Sequence, residues 1–195
     1  MSSVPAHAAV VLAVGLAPRG SVRKGHSSRA LESSAGEPLA RRVAQLALET
    51  APSQLLVCVP ADDHTAVEVA LRGLRLRCLP VPGGGLGPAL VAALRALPRD
   101  CAAALALLCD PSSIGIGAHL ARLLAAWRAA PELPAASLDD SGAGLPALLP
   151  QACWDDLIAQ RDSGPRALLR DPARRISTVA WMPPAPAPDD AGPAA

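Results

Sequence analysis

The residues best suited to chemistry in this chain fall in three loops. The apolar run VVLAV ends at Gly15, and the loop that follows, GLAPRGSVRKG, carries a second glycine at Gly20 and the cations Arg19, Arg23 and Lys24. Glycine lets a backbone turn closely around phosphate oxygens, and an arginine fork grips two of them at once. The run CAAALALLCD ends in Asp110, a carboxylate where an apolar strand meets a turn. The stretch GGGLGPAL sets Gly85 and Gly87 before a helical pattern, where backbone N–H groups receive an anion or a base finds room. Together these are the parts of a nucleotide-phosphate site.

Two known phosphate loops fail on the first stretch. A dinucleotide fingerprint needs G-x-G-x-x-G, and the loop reads G-L-A-P-R-G, without the second glycine that admits pyrophosphate. A P-loop needs G-x-x-x-x-G-K-[ST]; Gly15 and Gly20 have that spacing, but Ser21 stands where the lysine must reach the phosphates. A P-loop NTPase is therefore the weakest reading.

The elements that must position these loops alternate between strand and helix patterns, as in a parallel sheet covered by helices. AAVVLAV (8–14) reads as the first strand and EPLARRVAQLALE (37–49) as a helix. QLLVCVP (54–60) reads as a strand, DDHTAVEVALRGL (62–74) as a helix with an Asp cap, and RLRCLPVP (75–82) as a strand. GPALVAALRAL (87–97) follows as a helix with Pro88 in its first turn, and CAAALALLCD (101–110) as a central buried strand. AHLARLLAAWRAA (118–130) is helical and LPALLP (145–150) a short strand. CWDDLIAQRD (153–162) and GPRALLRD (164–171) read as short helices, and RISTVAWM (175–182) as the last strand. The expected organisation is one domain, 1–181, and a Pro/Ala-rich tail, 182–195, with too few core residues to fold.

Composition excludes several functions. The formal charge of +1 supplies no broad field for nucleic acid or an acidic membrane, and without Phe or Tyr there are no usual platforms for base stacking. The core must be aliphatic, with three Trp. Cys58, Cys78, Cys101, Cys109 and Cys153 are scattered in apolar runs, so buried thiols are expected rather than a disulfide framework or a zinc site. The N-terminal apolar run is too short to span a bilayer and lacks the flanking cations of a secretion signal, so the expected location is cytoplasmic.

In order along the chain, several segments resemble the MobA-like nucleotidyltransferases, which include molybdenum cofactor cytidylyltransferases. LAVGLAPRGSVRKG is similar to their opening L-A-A-G-x-S-x-R-M-G followed by lysine: Gly15 and Arg19 match, Ala17 replaces Ser, and Gly20 with Ser21 replaces Met-Gly. RALESSAGEPLARRV resembles the stretch after that lysine and places Arg29 at the lysine position, behind a loop longer than the family's. GGGLGPALVAALRAL and ALALLCDPSS resemble the G-L-G-x-S-L segment and the strand ending in G-D-x-P. GAGLPALLP, with Leu145 in place of His, and RDSGPRALLRD resemble two later elements, G-H-P-x-L-F and G-D-x-G-A-R-x-L-L.

The resemblance implies an α/β fold, a single Rossmann-like domain of the nucleotide-diphospho-sugar transferase type with a mostly parallel central sheet flanked by helices. It implies transfer of a nucleoside monophosphate from CTP or GTP to a phosphate acceptor such as molybdopterin, with Mg²⁺. Arg19 and Asp110 would be catalytic, with Asp110 the metal ligand. The nucleotide would lie on Leu12, Gly15, Arg19 and Lys24, and on Arg29, Gly85 and Gly87. The alternative is a non-catalytic descendant of the same fold, a nucleotide-binding or protein-interaction module in molybdoenzyme assembly.

Bland readings stand beside these. Taken alone, Gly15 ends a strand and Asp110 opens an ordinary turn. Lys24 is the one lysine beside seventeen arginines; it is either a functional cation or what remains in a composition that favours Ala, Arg and Pro. His26 and His119 read as surface residues. Asp155, Asp156 and Asp162 read as capping or solvent-facing, although Asp162 matches a family position. Asp139 and Asp140 lie in what reads as a polar loop.

Overall fold

The computed structural model of the chain describes residues 5–14, 29–34, 36–81, 85–160 and 164–181. Its centre is β1 (His7–Leu12), buried along its whole length. Ala9 and Val11 face one side and Ala8, Val10 and Leu12 the other, so the run is apolar throughout, as a strand covered on both faces requires. β2 (Ser33–Ser34) and β3 (Glu37–Pro38) form a small antiparallel ribbon before α1 (Leu39–Glu49). β4 (Leu55–Pro60) then pairs with β1 in parallel. After a 3-10 turn at Ala61–Asp63 come α2 (His64–Ala70) and β5 (Arg77–Val81), which pairs outside β4. The helix expected over 62–74 is thus shorter, and Asp63 precedes it without a side-chain capping bond.

α3 (Leu86–Ala96) returns the chain across the sheet to β6 (Ala103–Leu108), parallel to β1 on its other side. α4 (Gly117–Ala129) leads to β7 (Ala135–Asp139), and a hairpin leads to β8 (Gly142–Pro150), which lies antiparallel between β6 and β7. α5 (Trp154–Ala159) and α6 (Gly164–Leu169) precede β9 (Ser177–Ala180). The seven strands run in the order β5-β4-β1-β6-β8-β7-β9. α1, α2 and α4 cover one face, and α3, α5 and α6 the other. The two cores are built from Ala, Val and Leu, with Trp127 closing one and Trp154 the other.

β7 is a strand that its own sequence does not announce. AASLD has one large apolar residue, Leu138, and that one is exposed. Its conformation comes from pairing on both sides, with β8 and with β9. Asp139 is therefore the last residue of a strand and not part of a loop. The strand expected over 145–150 is the latter part of a longer one.

Candidate functional site

The chain moves from β1 through β4 to β5 on one side, then crosses back to β6 on the other, so strand order reverses between β1 and β6. Ligands of open α/β sheets bind in the crevice at the carboxyl ends of the strands beside such a reversal. Leu12 and Asp110 stand there. The Cys109 N–H donates to the Leu12 carbonyl at 3.0 Å, which closes the last rung between the strands, and Asp110 is the next residue. Leu12 is buried, so its side chain belongs to the core.

Asp110 is held by its own turn. Its Oδ1 accepts from the Ser112 N–H at 3.0 Å and from the Ser112 hydroxyl at 2.8 Å, while the Ser113 N–H donates to the Asp110 carbonyl at 2.9 Å. Pro111 opens the 3-10 turn Pro111–Ser113, where a missing N–H costs nothing. Anchoring through Oδ1 fixes the direction of the carboxylate. A hard oxygen ligand of this kind suits a divalent cation that keeps water or phosphate oxygens as its other partners. Among the described residues no group of three or more His, Cys, Asp or Glu gathers that could form an all-protein metal cage.

Gly85 opens α3 with φ 96° and ψ −169°, a conformation open essentially to glycine alone, and among the described residues no side chain caps the helix. Gly87 is buried in the first turn. It faces Gly164 at the start of α6, where an added Cβ would lie 3.7 Å from the Gly87 Cα. On the far side of β6, the β7–β8 hairpin repeats the motif of Asp110: Asp139 Oδ1 accepts from the Ser141 N–H at 2.8 Å and from its hydroxyl at 2.6 Å. Those two bonds, then Arg170 and Arg166, hold the Asp139 carboxyl below its usual range.

Of the residues singled out in the sequence, Asp110, Leu12, Gly85 and Gly87 lie at or beside the strand ends on which the site depends. Gly15, Arg19 and Lys24 lie outside the described residues, as do His26 and Asp162. Arg29 begins a 3-10 turn, and only its backbone is described. Asp155 is exposed, and Asp156 pairs with Arg174. Sequence reasoning passed over Ser112, Ser141 and Arg170. The spacing D-x-S at two strand ends, Asp110 to Ser112 and Asp139 to Ser141, is the signal that marks the first two.

His119 is not a surface residue: it is 5% exposed, with its Nε2 2.8 Å from the Ser137 hydroxyl. That hydroxyl donates to the Pro146 carbonyl at 2.7 Å, so its oxygen accepts, and His119 must be the donor. Its Nδ1 has no hydrogen-bond partner among the described residues, and burial, then Arg122, lowers its pKa. The Ser137 hydroxyl is buried and committed to a carbonyl, so the pair is a structural tie across the bulge at Ala136/Ser137 and not a nucleophile with its base.

None of the five cysteines is in a disulfide, and Cys78 alone among them is only partly buried. Burial pushes the thiols of Cys58 and Cys153 up to about 12, which leaves them protonated and unreactive. A groove of about 430 Å³ between α1 and α4, lined by Arg42, Gln45, Glu49 and Gly117, opens on the α1 face just beyond the Asp110 turn. No helix among the described residues is long and apolar enough to cross a membrane.

The fold defines a class: a Rossmann-like α/β domain whose strand order reverses between β1 and β6, the first and fourth strands of its main sheet, with Asp110 at that reversal. Residues 9–178 match the family described as MobA-like NTP transferase domain, and the chain belongs to that family. No curated protein matches it. Among solved structures, Rv0371c from Mycobacterium tuberculosis H37Rv is similar at 19% identity, with a TM-score of 0.75 over 90% of this chain and 88% of that one. The manganese complex of the same mycobacterial protein is similar at 17% identity and TM-score 0.74, over 90% and 88%. 4-Diphosphocytidyl-2C-methyl-D-erythritol synthase from Anaerococcus prevotii DSM 20548 shares the fold at 12% identity and TM-score 0.63, over 90% and 87%. CMP:2-keto-3-deoxy-manno-octonic acid synthetase, solved with CTP, does so at 13% and 0.65, over 91% and 90%.

Proposed function

We propose that this chain transfers a nucleoside monophosphate from CTP or GTP to a phosphate acceptor of the molybdopterin type and releases pyrophosphate. The observation that carries this reading is Asp110, fixed by Ser112 at the strand reversal of a chain from the MobA-like NTP transferase family. The CTP bound by one structural relative supports the cytidine nucleotide, and the manganese bound by another supports a divalent metal.

In the reaction an acceptor phosphate oxygen attacks the α-phosphorus, the bond from that phosphorus to the bridging oxygen breaks, and pyrophosphate departs with the electron pair. Mg²⁺, when bound, neutralises the triphosphate and the departing charge. Asp110 would hold that ion, with Ser112 fixing the carboxylate's direction. Arg19 and Lys24 would grip phosphate oxygens, with Arg29 in the place of the family's lysine. Gly15 would let the backbone approach, and the first turn of α3, Gly85 to Gly87, would present N–H groups or make room for the base.

One observation favours the non-catalytic alternative. Leu145, where the family has His, packs against the core of the α3 face, so a polar contact near the substrate is replaced by an apolar one. Melting of the purified protein with CTP, GTP and ATP, each with and without Mg²⁺, tests the first reading together with pyrophosphate release over a panel of phosphomonoester acceptors. A ligand at about a hundred times its dissociation constant adds ~2.7 kcal/mol. The expected result is a Mg²⁺-dependent shift for one nucleotide that Asp110→Ala abolishes without loss of fold. A shift with no turnover on any acceptor selects the binding module; turnover retained in Asp110→Ala refutes the metal assignment.

A further inference from the structure

One side chain ties the β7–β8 hairpin to α6. Arg170, the residue after that helix, donates from Nε to the Ala143 carbonyl at 3.0 Å and from Nη2 to the Ser141 hydroxyl at 3.2 Å. Ser141 in turn donates to Asp139 at 2.6 Å. The guanidinium passes close over Gly142, where a Cβ would lie 3.4 Å from Nε and 3.5 Å from Cζ. With φ at 101°, Gly142 both makes the turn and admits the arginine. The two-point contact needs the planar fork, which a lysine ammonium does not have.

The other end of α6 reaches the nucleotide side of the crevice. Gly164 abuts Gly87 in the first turn of α3. Between the two ends, Leu168 and Leu169 are buried in one core with Leu90 of α3 and Ala147 of β8. The Arg170 N–H continues the helix to the Arg166 carbonyl at 3.0 Å. α6 is therefore a short rod with the glycine turn at one end and the hairpin at the other. β8 pairs with β6 as far as Ala147 opposite Ala106, so the segment before it stands beside the end of β6 that leads to Asp110.

We propose that Arg170 is a positioning residue that links the hairpin to the nucleotide side, so that nucleotide bound at the first turn of α3 stiffens the β7–β8 hairpin. The link runs from Gly87 through α6 and Arg170 to Ser141, Ala143 and Asp139. It rests on the nucleotidyltransferase reading of the crevice.

Backbone hydrogen exchange of the full chain tests it, in the wild type, Arg170→Ala, Arg170→Lys and Ser141→Ala, with and without Mg²⁺ and whichever of CTP, GTP or ATP raises the melting temperature. In the wild type, nucleotide is expected to slow exchange at the amides of Ser141 to Gly144 severalfold. That slowing should vanish in Arg170→Ala and Arg170→Lys and be reduced in Ser141→Ala, while the nucleotide-induced melting shift stays at the wild-type value. Arg170→Lys keeps the charge, and Ser141→Ala leaves the Ala143 contact in place, so both report if Arg170→Ala fails to fold. Slowing retained in Arg170→Lys would overturn the two-point link. Binding without any change at the hairpin would overturn the coupling alone. A melting temperature that no nucleotide moves would defeat the nucleotidyltransferase reading and the proposal with it.

Discussion

His7 offers a prediction in which the sign and the size both follow from geometry. It opens β1 at the end of the strand opposite the crevice and is 4% exposed. Its Nε2 lies 3.1 Å from the Thr50 hydroxyl, which itself donates to the Ala47 carbonyl at 2.7 Å. The hydroxyl oxygen must accept, so the imidazole donates from Nε2. Burial, then the charge of Arg128, lowers its pKa from 6.5 to about 4. Between those values the unfolded chain binds a proton that the folded chain refuses, so stability falls as pH falls through that window and is unaffected by this group above it. A gap of about 2.5 pH units at ~1.4 kcal/mol each makes ~3 kcal/mol that is present near pH 7 and lost by about pH 4. His7→Gln keeps an N–H donor for Thr50 and removes the titration. Urea unfolding of both proteins across this range isolates the effect, since other groups titrate alike in the two. The wild type is expected to lose ~3 kcal/mol relative to the variant on acidification. A difference that does not change with pH would refute the buried, neutral imidazole.

Three further substitutions probe the tie behind β8 and the start of α3. Ser137→Ala leaves the His119 N–H and the Pro146 carbonyl without their shared partner in a buried site and should cost about 3 kcal/mol in urea unfolding. Adding His119→Leu should cost less than the sum of the two single changes, and strict additivity would deny the network. Gly85→Ala meets no atom of the described residues within 4 Å, so its expected cost is backbone strain. It should destabilise by about 1–3 kcal/mol and shrink the nucleotide-induced melting shift; an unchanged melting temperature with a full shift would exclude a role for this turn.

The central strands were legible because burial on both faces leaves an uninterrupted apolar run, as in β1 and β6. β7 was not, because its pairing partners, and not its five side chains, make it a strand. His119 was misread by its chemistry alone, although its spacing carried the information: His119, Leu123 and Trp127 recur every four residues and form one buried stripe of α4. Asp110 was legible as the polar end of an apolar run, and Asp139 was hidden because the run before it is short and poor in large apolar residues. Arg170 could not be read as a partner of the hairpin, since its contact to Ala143 spans 27 residues and depends on where α6 is seated.

The arginines give physical content to a composition that otherwise looks like drift. Arg41 donates from Nη1 to the carbonyls of Ala70 and Arg72 at 3.1 Å each, while its Nε lies 3.7 Å from Glu37 Oε1, and so it tethers the end of α2 to α1. Arg170 donates to two partners in the β7–β8 hairpin, and Arg174 lies between Asp156 and Asp171. Each of these contacts uses the breadth of a guanidinium to reach two groups at once, which an ammonium on a flexible stem does poorly. In these three places arginine is the residue the geometry asks for, and not a substitute for lysine. Lys24 is then less easily explained as what a biased composition left behind. Its ammonium is a compact, strongly hydrated point charge that also binds phosphate, which is the role the proposed function gives it in the loop after Gly15.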